Sequence, residues 1–301
     1  MTTRDVRPTV GPEGAPTANQ RATRDVRPTA GAPGPPGGNP MTPRERVIAI
    51  RDGAVTFRVL SAGDGPPLVY FHSIHERGAW SPFLAELARR RTVLAPLHPG
   101  VGGSEGVETL DDVFDLTLAY DELLRALEVE AADLCGHFFG GMVAAELAAV
   151  FPRRARTLAL VSPLGLWRDD APSEDLLILP PEELVPALWR DPASEAARQW
   201  AELPETDDAN VAAQIESIAR RSAMAKFVWP LPDKGLRKRL HRITAPTLLL
   251  WGDADRANPV VYAEEWQRRI KGAAVKVLPG GHMLIHESPA AAAAAMQEFL
   301  P

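Results

Sequence analysis

The chain has a single cysteine, Cys135, among its 301 residues. One cysteine cannot form an intramolecular disulfide, so we expect the fold to be held by an apolar core. No apolar run reaches the roughly 18 residues that a bilayer-spanning helix needs. The apolar core of a signal peptide is also missing from the first residues. Together these absences predict a cytoplasmic protein with no membrane partner.

An excess of positive charge is absent as well. The chain has 33 Lys and Arg against 39 Asp and Glu, which gives a formal net charge of −6. Nucleic-acid binding requires a basic patch, and here the basic residues are interspersed with acids. We therefore expect no nucleic-acid partner, and the acidic balance mainly indicates solubility. Nothing in the composition calls for a metal or a cofactor, and no pattern indicates the oligomeric state.

Large apolar residues are scarce in residues 1–43. The motif TRDVRPT occurs at 3–9 and again at 23–29, and GAPGPPGGNP follows at 31–40. Such a segment cannot offset its chain entropy by burying side chains. The composition predicts a disordered tail.

Strand and helix patterns alternate through the rest of the chain. Eight short apolar runs, from RVIAI at 46–50 to AVKVLPG at 274–280, have the pattern of strands. Alternation of this kind predicts an α/β fold, a mostly parallel eight-stranded sheet with helices on both faces. Only helical patterns occur at 164–242. We interpret 44–163 and 243–301 as the core and 164–242 as a helical cap over the carboxyl edge of the sheet.

Chemistry in such sheets takes place where the strands end. Polar residues follow three of the predicted strands, namely His72, Ser73 and His75 after PPLVYF, Asp253 and Asp255 after TLLLWG, and His282 after VKVLPGG. A carboxylate that accepts the imidazole Nδ1 proton fixes the tautomer of the histidine and stabilises the imidazolium. An acid after one late strand and a histidine after the next therefore predict a general-base dyad.

Another predicted strand, AADLC, leads into the glycine-rich turn GHFFGG at 136–141, which is followed by a helical pattern. The glycines at 136, 140 and 141 let the strand and the helix approach closely. The residue at the tip of this sharp turn is Phe138, whose backbone we expect to be strained at a cost of about 1–3 kcal/mol. A phenylalanine ring has no nucleophilic chemistry.

Four segments together resemble the α/β-hydrolase fold family, namely GHFFGG, WGDADRANP at 251–259, LPGGHMLIHESP at 278–289 and HPGVGGSEG at 98–106. The resemblance covers residues 45–301, and its chain order of elbow, acid and histidine is that of the family. It implies esterase, thioesterase, carbon–carbon hydrolase or related acyl-transfer chemistry. It also implies that Asp255 is the acid, His282 the base, and the amides of Ile74 and Phe139 the oxyanion hole. Gly136, Gly140 and Gly141 correspond to the elbow glycines.

Two positions depart from the family pattern. Ser73 stands where the family often has glycine, and Phe138 stands at the position of the nucleophile. Without a nucleophile no acyl-enzyme forms by the usual route. Four hypotheses remain open. In the first, the dyad activates water or abstracts a proton, as in a lyase or a cofactor-free oxygenase, and in the second, Ser73 is a substitute nucleophile. In the third, the protein binds a ligand without catalysis, and in the fourth, Phe138 is a recent loss of the serine or a sequence error.

All these hypotheses share a small apolar acyl, ester or ketone compound as substrate or ligand under the cap. Near the predicted site, His72 is expected to hold its loop together by hydrogen bonds, and Asp253 to form a turn. We expect His75, Glu76 and His98 to be exposed loop residues, although each could line a pocket.

Overall fold

The computed structural model describes residues 42–231 and 233–301. Most of the predicted tail at 1–43 therefore lies outside the described residues. The eight strands are β1 (Arg44–Ile50), β2 (Val55–Ala62), β3 (Pro67–Phe71), β4 (Thr92–Pro96), β5 (Ala132–His137), β6 (Ala155–Val161), β7 (Thr247–Gly252) and β8 (Ala274–Leu278).

These strands form one sheet in the order β1-β2-β4-β3-β5-β6-β7-β8. Only the pairs β1–β2 and β2–β4 are antiparallel, and the other five pairs are parallel. The predicted eight-stranded, mostly parallel sheet is confirmed. Every residue of β5 and of β7 is buried, which explains why the sequence of β7, TLLLWG, is a nearly continuous apolar run.

Nine helices lie between or after the strands in the described residues. They are α1 (Pro82–Ala88), α2 (Val113–Ala126), α3 (Phe139–Val150), α4 (Pro181–Leu188), α5 (Glu195–Ala201), α6 (Asp207–Val228), α7 (Val261–Arg269), α8 (Leu284–Glu287) and α9 (Pro289–Phe299). N-cap side chains define where several of these helices begin. The Ser81 hydroxyl accepts a hydrogen bond from Leu84 N at 3.3 Å, and Asp112 caps α2 in the same way.

Two apolar clusters hold these helices on the sheet. Side chains of α1 and α9 pack on one face, and those of α2, α3 and α7 pack on the other. Helix α3 is buried along almost its whole length, so its sequence is apolar on all sides rather than amphipathic. A sheet covered on both faces leaves only its edges and strand ends open to other molecules.

Helices α4, α5 and α6 all lie between β6 and β7. Several hydrogen bonds join this insert to loops at the carboxyl edge of the sheet, three of which follow. Arg220 Nε donates to Ile74 O at 3.1 Å, Trp200 Nε1 donates to His75 O at 3.1 Å, and Met283 N donates to Leu188 O at 2.9 Å. In the part of the chain that the structure describes, no helix combines the length and apolarity needed to cross a bilayer.

Candidate active site

The turn between β5 and α3 has a strained residue at its tip. Phe138 has φ 47° and ψ −106°, a backbone conformation that residues other than glycine rarely adopt. Backbone bonds hold it there: Phe138 N donates to Val161 O, and its carbonyl accepts from Met142 N and Leu164 N, all at 3.0 Å. The fold thus builds the sharp elbow although the residue at its tip is aromatic.

Close backbone contacts explain the glycines of the elbow. A Cβ at Gly140 would overlap the carbonyl of Phe71 and lie 2.6 Å from His72 O. A Cβ at Gly136 would lie 2.5 Å from the carbonyl carbon of Gly140. Gly141 is packed less tightly, with Pro163 Cβ at 2.9 Å from the position of a Cβ. Any side chain at the first two positions would push α3 away from β3 and β5.

The structure brings His282 and Asp255 together at the ends of the neighbouring strands β7 and β8. His282 Nδ1 lies 3.1 and 3.0 Å from the two carboxylate oxygens of Asp255, and both side chains are buried. The carboxylate can only accept, so Nδ1 carries the proton and Nε2 presents a lone pair. This is the tautomer that a general base requires.

Asn258 positions the acid and was not anticipated from the sequence. Its amide N donates to Asp255 Oδ1 at 2.8 Å, and its side-chain Nδ2 donates to the carbonyls of Ser162 and Pro163, each at 3.1 Å. Ser173 Oγ donates to its Oδ1 at 2.7 Å. Asn258 therefore links the Asp255 loop to the segment after β6. The only sequence signal was its place three residues after the acid.

The imidazole ring of His282 packs against the ring of Phe138. The two ring centroids are 4.6 Å apart with planes at 86°, an edge-to-face contact. Nε2 of His282 and Oγ of Ser73 are both buried without a hydrogen-bond partner, so they are not bonded to each other. Nothing in this geometry supports Ser73 as a substitute nucleophile.

Two backbone amides point to where an oxyanion could bind. Phe139 is the first residue of α3, so its N–H has no acceptor within the helix. Among the described residues, neither Phe139 N nor Ile74 N donates a hydrogen bond. Arg220 holds the carbonyl side of Ile74 and so fixes the loop that presents this amide.

The expectation that His75, Glu76 and His98 are exposed is wrong. Their exposed fractions are 2%, 6% and 0%. The reason for His98 is a chain of hydrogen bonds: its Nε2 donates to His72 O at 3.0 Å, and its Nδ1 accepts from Tyr120 Oη at 2.5 Å. His72 in turn accepts from His98 N at 3.1 Å and donates through Nδ1 to Ser73 O at 3.0 Å.

The imidazoles of His72 and His98 are both neutral in this hydrogen-bond network, because each uses one ring nitrogen as donor and the other as acceptor. Burial lowers the pKa of His72 and of His98 and favours the same state. Burial, together with the positive charge of Arg220, lowers the pKa of His75 to about 3. Nε2 of His75 is buried without a hydrogen-bond partner, like that of His282.

A buried carboxylate lies behind the dyad. Glu76 accepts hydrogen bonds from Tyr70 Oη and Ser73 N, both at 2.8 Å, and from His137 Nδ1 at 3.0 Å. His137 Nε2 lies 3.0 Å from the carbonyl oxygen of His282. Burial acts to raise the pKa of Glu76, but the hydrogen bond from His137, together with the nearby imidazole of His286 at 3.6 Å, outweighs it and holds the pKa well below its usual range. The network joins the β3 loop, the elbow and the base.

A groove of about 260 Å³ lies on the cap, away from the dyad. It is lined mainly by apolar side chains, including Ile178, Ile218 and Trp229, with Arg221 beside them. Phe138 and His282 do not line it and are nearly fully buried. The described residues contain no cluster of three metal-ligating side chains.

Comparison with known families agrees with this geometry. The Alpha/beta hydrolase family model matches residues 59–295, and the chain belongs to this family. Among curated proteins, an uncharacterized protein of Mycobacterium tuberculosis is 28% identical over 260 residues, 78% of this chain and 74% of its own. The 3-oxoadipate enol-lactonase 1 of Acinetobacter baylyi is 25% identical over 233 residues, 75% of this chain and 85% of its own.

Solved structures share the fold. A putative lipase from Acinetobacter baumannii has a TM-score of 0.72 at 21% identity and covers 86% of this chain and 91% of its own. A hydrolase from Pseudomonas aeruginosa has a TM-score of 0.67 at 25% identity, with 85% and 98% covered. The enol-lactonase and the Pseudomonas aeruginosa protein are hydrolases by name, and the putative lipase shares the fold.

Proposed function

We propose that this protein is a nucleophile-independent enzyme of the α/β-hydrolase family, in which His282 acts as a general base on a small apolar ester, acyl compound or ketone. The observation that carries the proposal is the His282–Asp255 pair, at 3.0 Å, with Nε2 of the histidine left without a partner. A buried imidazole with an oriented acid and a free lone pair is arranged to accept a proton.

In the proposed reaction, Nε2 of His282 takes a proton from a water molecule or from a carbon next to a carbonyl group. Asp255 stabilises the imidazolium that forms. The negative charge that develops on the carbonyl oxygen is stabilised by the amides of Ile74 and Phe139, which have no competing acceptor. The ring of Phe138 must turn away from His282 for substrate to enter, and covalent catalysis plays no part.

The test is the exchange of α-protons for deuterium in a panel of small ketones and esters, followed by NMR, together with ester hydrolysis on the same panel. We expect His282→Ala to abolish turnover on every compound that the wild type processes, and Asp255→Asn to lower it by roughly 10⁴-fold through the wrong tautomer. His241→Ala changes an exposed histidine and serves as the matched control. Turnover that survives His282→Ala would contradict the proposal.

One observation favours a second candidate, a non-catalytic protein that binds a small apolar ligand. Phe138 is 2% exposed and covers the base. If no compound of the panel turns over, while ligand binding is detected and is unchanged in His282→Ala, this second function replaces the first.

A further inference from the structure

The cap carries more than half of the exposed large apolar side chains in the part of the chain that the structure describes. Six of the eleven large apolar side chains that are exposed in the described residues lie between 178 and 229. Three of them, Val211, Ile215 and Ile218, are on the outer side of α6 with exposed fractions of 55%, 62% and 56%. A surface helix normally presents polar residues there, so this face is one that another surface would cover.

Helix α6 is apolar on two opposite sides. Its inner side places Met224, Phe227 and Val228 against the body of the protein, where they are buried. Its outer side repeats apolar or small residues at alternating steps of four and three, namely Val211, Ile215, Ile218, Ser222 and Ala225. This is the spacing with which one helix packs along another. The seam spans 15 residues, which is 14 helical steps or about 21 Å.

The groove on the cap adjoins the carboxyl-terminal end of this outer seam. Ile218, Ser222 and Ala225 belong both to the seam and to the lining of the groove. Its volume of about 260 Å³ exceeds that of one aliphatic side chain. If two α6 helices run antiparallel with Ile215 beside Ile218 of the other copy, Val211 of each copy comes to lie opposite Ser222 of the other, at the groove. Each copy would then fill the other's groove.

The charges at the two ends of α6 select this antiparallel direction. Asp207 and Asp208 lie in the first turn, and Arg221 and Lys226 lie in the last two turns. Neither aspartate nor Arg221 has an ion-pair partner among the described residues. Antiparallel helices place the acidic end of each copy beside the basic end of the other, whereas parallel helices would place like charges together.

We propose that the partner of this surface is a second copy of the chain, and that the protein forms a two-fold dimer through antiparallel α6 helices. The contact is isologous, so it closes at two copies. It lies on the outer side of the cap and leaves the His282–Asp255 dyad outside the interface. The proposal is independent of what the dyad does.

The first test is sedimentation velocity on the full chain over the micromolar range. We expect the wild type to sediment as a dimer. Ile215→Glu should raise the dissociation constant at least roughly 30-fold, because a central apolar contact is replaced by a buried charge. Phe114→Glu is the matched control: Phe114 is 47% exposed on α2, outside the seam, and its change should leave the dimer intact. A wild type that is monomeric throughout, or a dimer indifferent to Ile215→Glu, overturns the proposal.

A charge exchange tests the direction of the helices. Asp207→Lys combined with Asp208→Lys, and Arg221→Glu combined with Lys226→Glu, should each give monomers with wild-type circular dichroism. An equimolar mixture of the two should dimerise, because both helix ends are then complementary again. Two variants that do not associate when mixed contradict the antiparallel arrangement. Binding of a monomeric wild type to phosphatidylcholine vesicles, lost in Ile215→Glu, would assign the seam to a lipid surface instead.

Discussion

At the scale of single residues, Phe138 decides which reaction the site can support. The elbow has the strained backbone that the fold requires, and the base lies beside the ring. A serine at this position would place its hydroxyl on the side chain position that now contacts the His282 ring, and the backbone amides of Ile74 and Phe139 would be unchanged. On the proposed roles of these residues, serine chemistry lacks one side chain rather than a whole site.

We expect Phe138→Ser to create labelling by a fluorophosphonate probe and hydrolysis of p-nitrophenyl esters, neither of which the wild type should show. The substitution also removes a buried ring and should lower the free energy of unfolding by roughly 3 kcal/mol. Mass spectrometry of the labelled serine is the measurement. The double variant Phe138→Ser with His282→Ala is the control and should stay unlabelled. A folded Phe138→Ser protein that resists the probe would show that His282 and the elbow do not form a working pair.

Glu76 is the second residue whose change has a sharp expected outcome. Glu76→Ala leaves the donors of Tyr70, Ser73 and His137 buried without their acceptor, so we expect a loss of about 3–5 kcal/mol in urea unfolding at neutral pH. Glu298→Ala removes an exposed ion pair with Lys276 and should cost less than about 1 kcal/mol. Equal losses for the two variants would mean that the buried network contributes no more than a surface pair.

At the scale of elements, the packing of α3 on β3 and β5 sets the geometry of the elbow. Strand order made the pairing of Asp255 and His282 predictable, because β7 and β8 are neighbours and their carboxyl ends meet. The burial of Glu76 and His98 was not predictable in this way. Their partners His137 and Tyr120 come from β5 and α2, and a single sequence does not indicate which polar side chains meet in space.

The periodicity of residues 164–242 predicted helices, and the structure has helices α4, α5 and α6 there. The sequence did not indicate that the apolar seam of α6 faces outward. Periodicity locates an apolar stripe on a helix, yet it does not say whether the stripe faces the core. Here the chain buries a second stripe, with Phe227 and Met224, and leaves Ile215 exposed.

Gly140→Ala tests the packing of α3. The added methyl group would overlap the carbonyl of Phe71, which is backbone and cannot rotate away, so we expect a loss of about 3 kcal/mol or more, or failure to fold. Gly272→Ala is the control: its φ of +78° makes alanine costly, but nothing lies within 4 Å of the added carbon. Its expected cost is about 1 kcal/mol. Comparable melting temperatures for the two variants would contradict the steric argument.

At the scale of the whole molecule, buried neutral histidines link stability to pH. The pKa values of His72, His75 and His98 are lowered in the folded protein, that of His75 to about 3. The unfolded chain therefore binds more protons below its own histidine pKa of about 6.5. Stability is complete above that pH and is lost as the pH falls, by up to about 1.4 kcal/mol per pH unit for each histidine.

We expect the free energy of unfolding in urea to fall between pH 7 and pH 5, with a slope that approaches about 1.4 kcal/mol per pH unit from His75 and further contributions of the same sign from His72 and His98. The lowered pKa of Glu76 acts in the same direction, below about pH 4.5. Unfolding curves at constant ionic strength provide the measurement. A free energy that is flat from pH 7 to pH 5 would show that these imidazoles are not held neutral.

The start of α3 at Phe139 has one more consequence. The peptide dipoles of a helix add up to a partial positive charge at its first turn, and this turn faces the space between Phe138 and His282. That field comes from twelve backbone units buried beside the sheet, so no exchange of side chains at position 138 removes it. The polarity of the site is a property of the fold, and it would favour the same distribution of charge in whatever molecule enters.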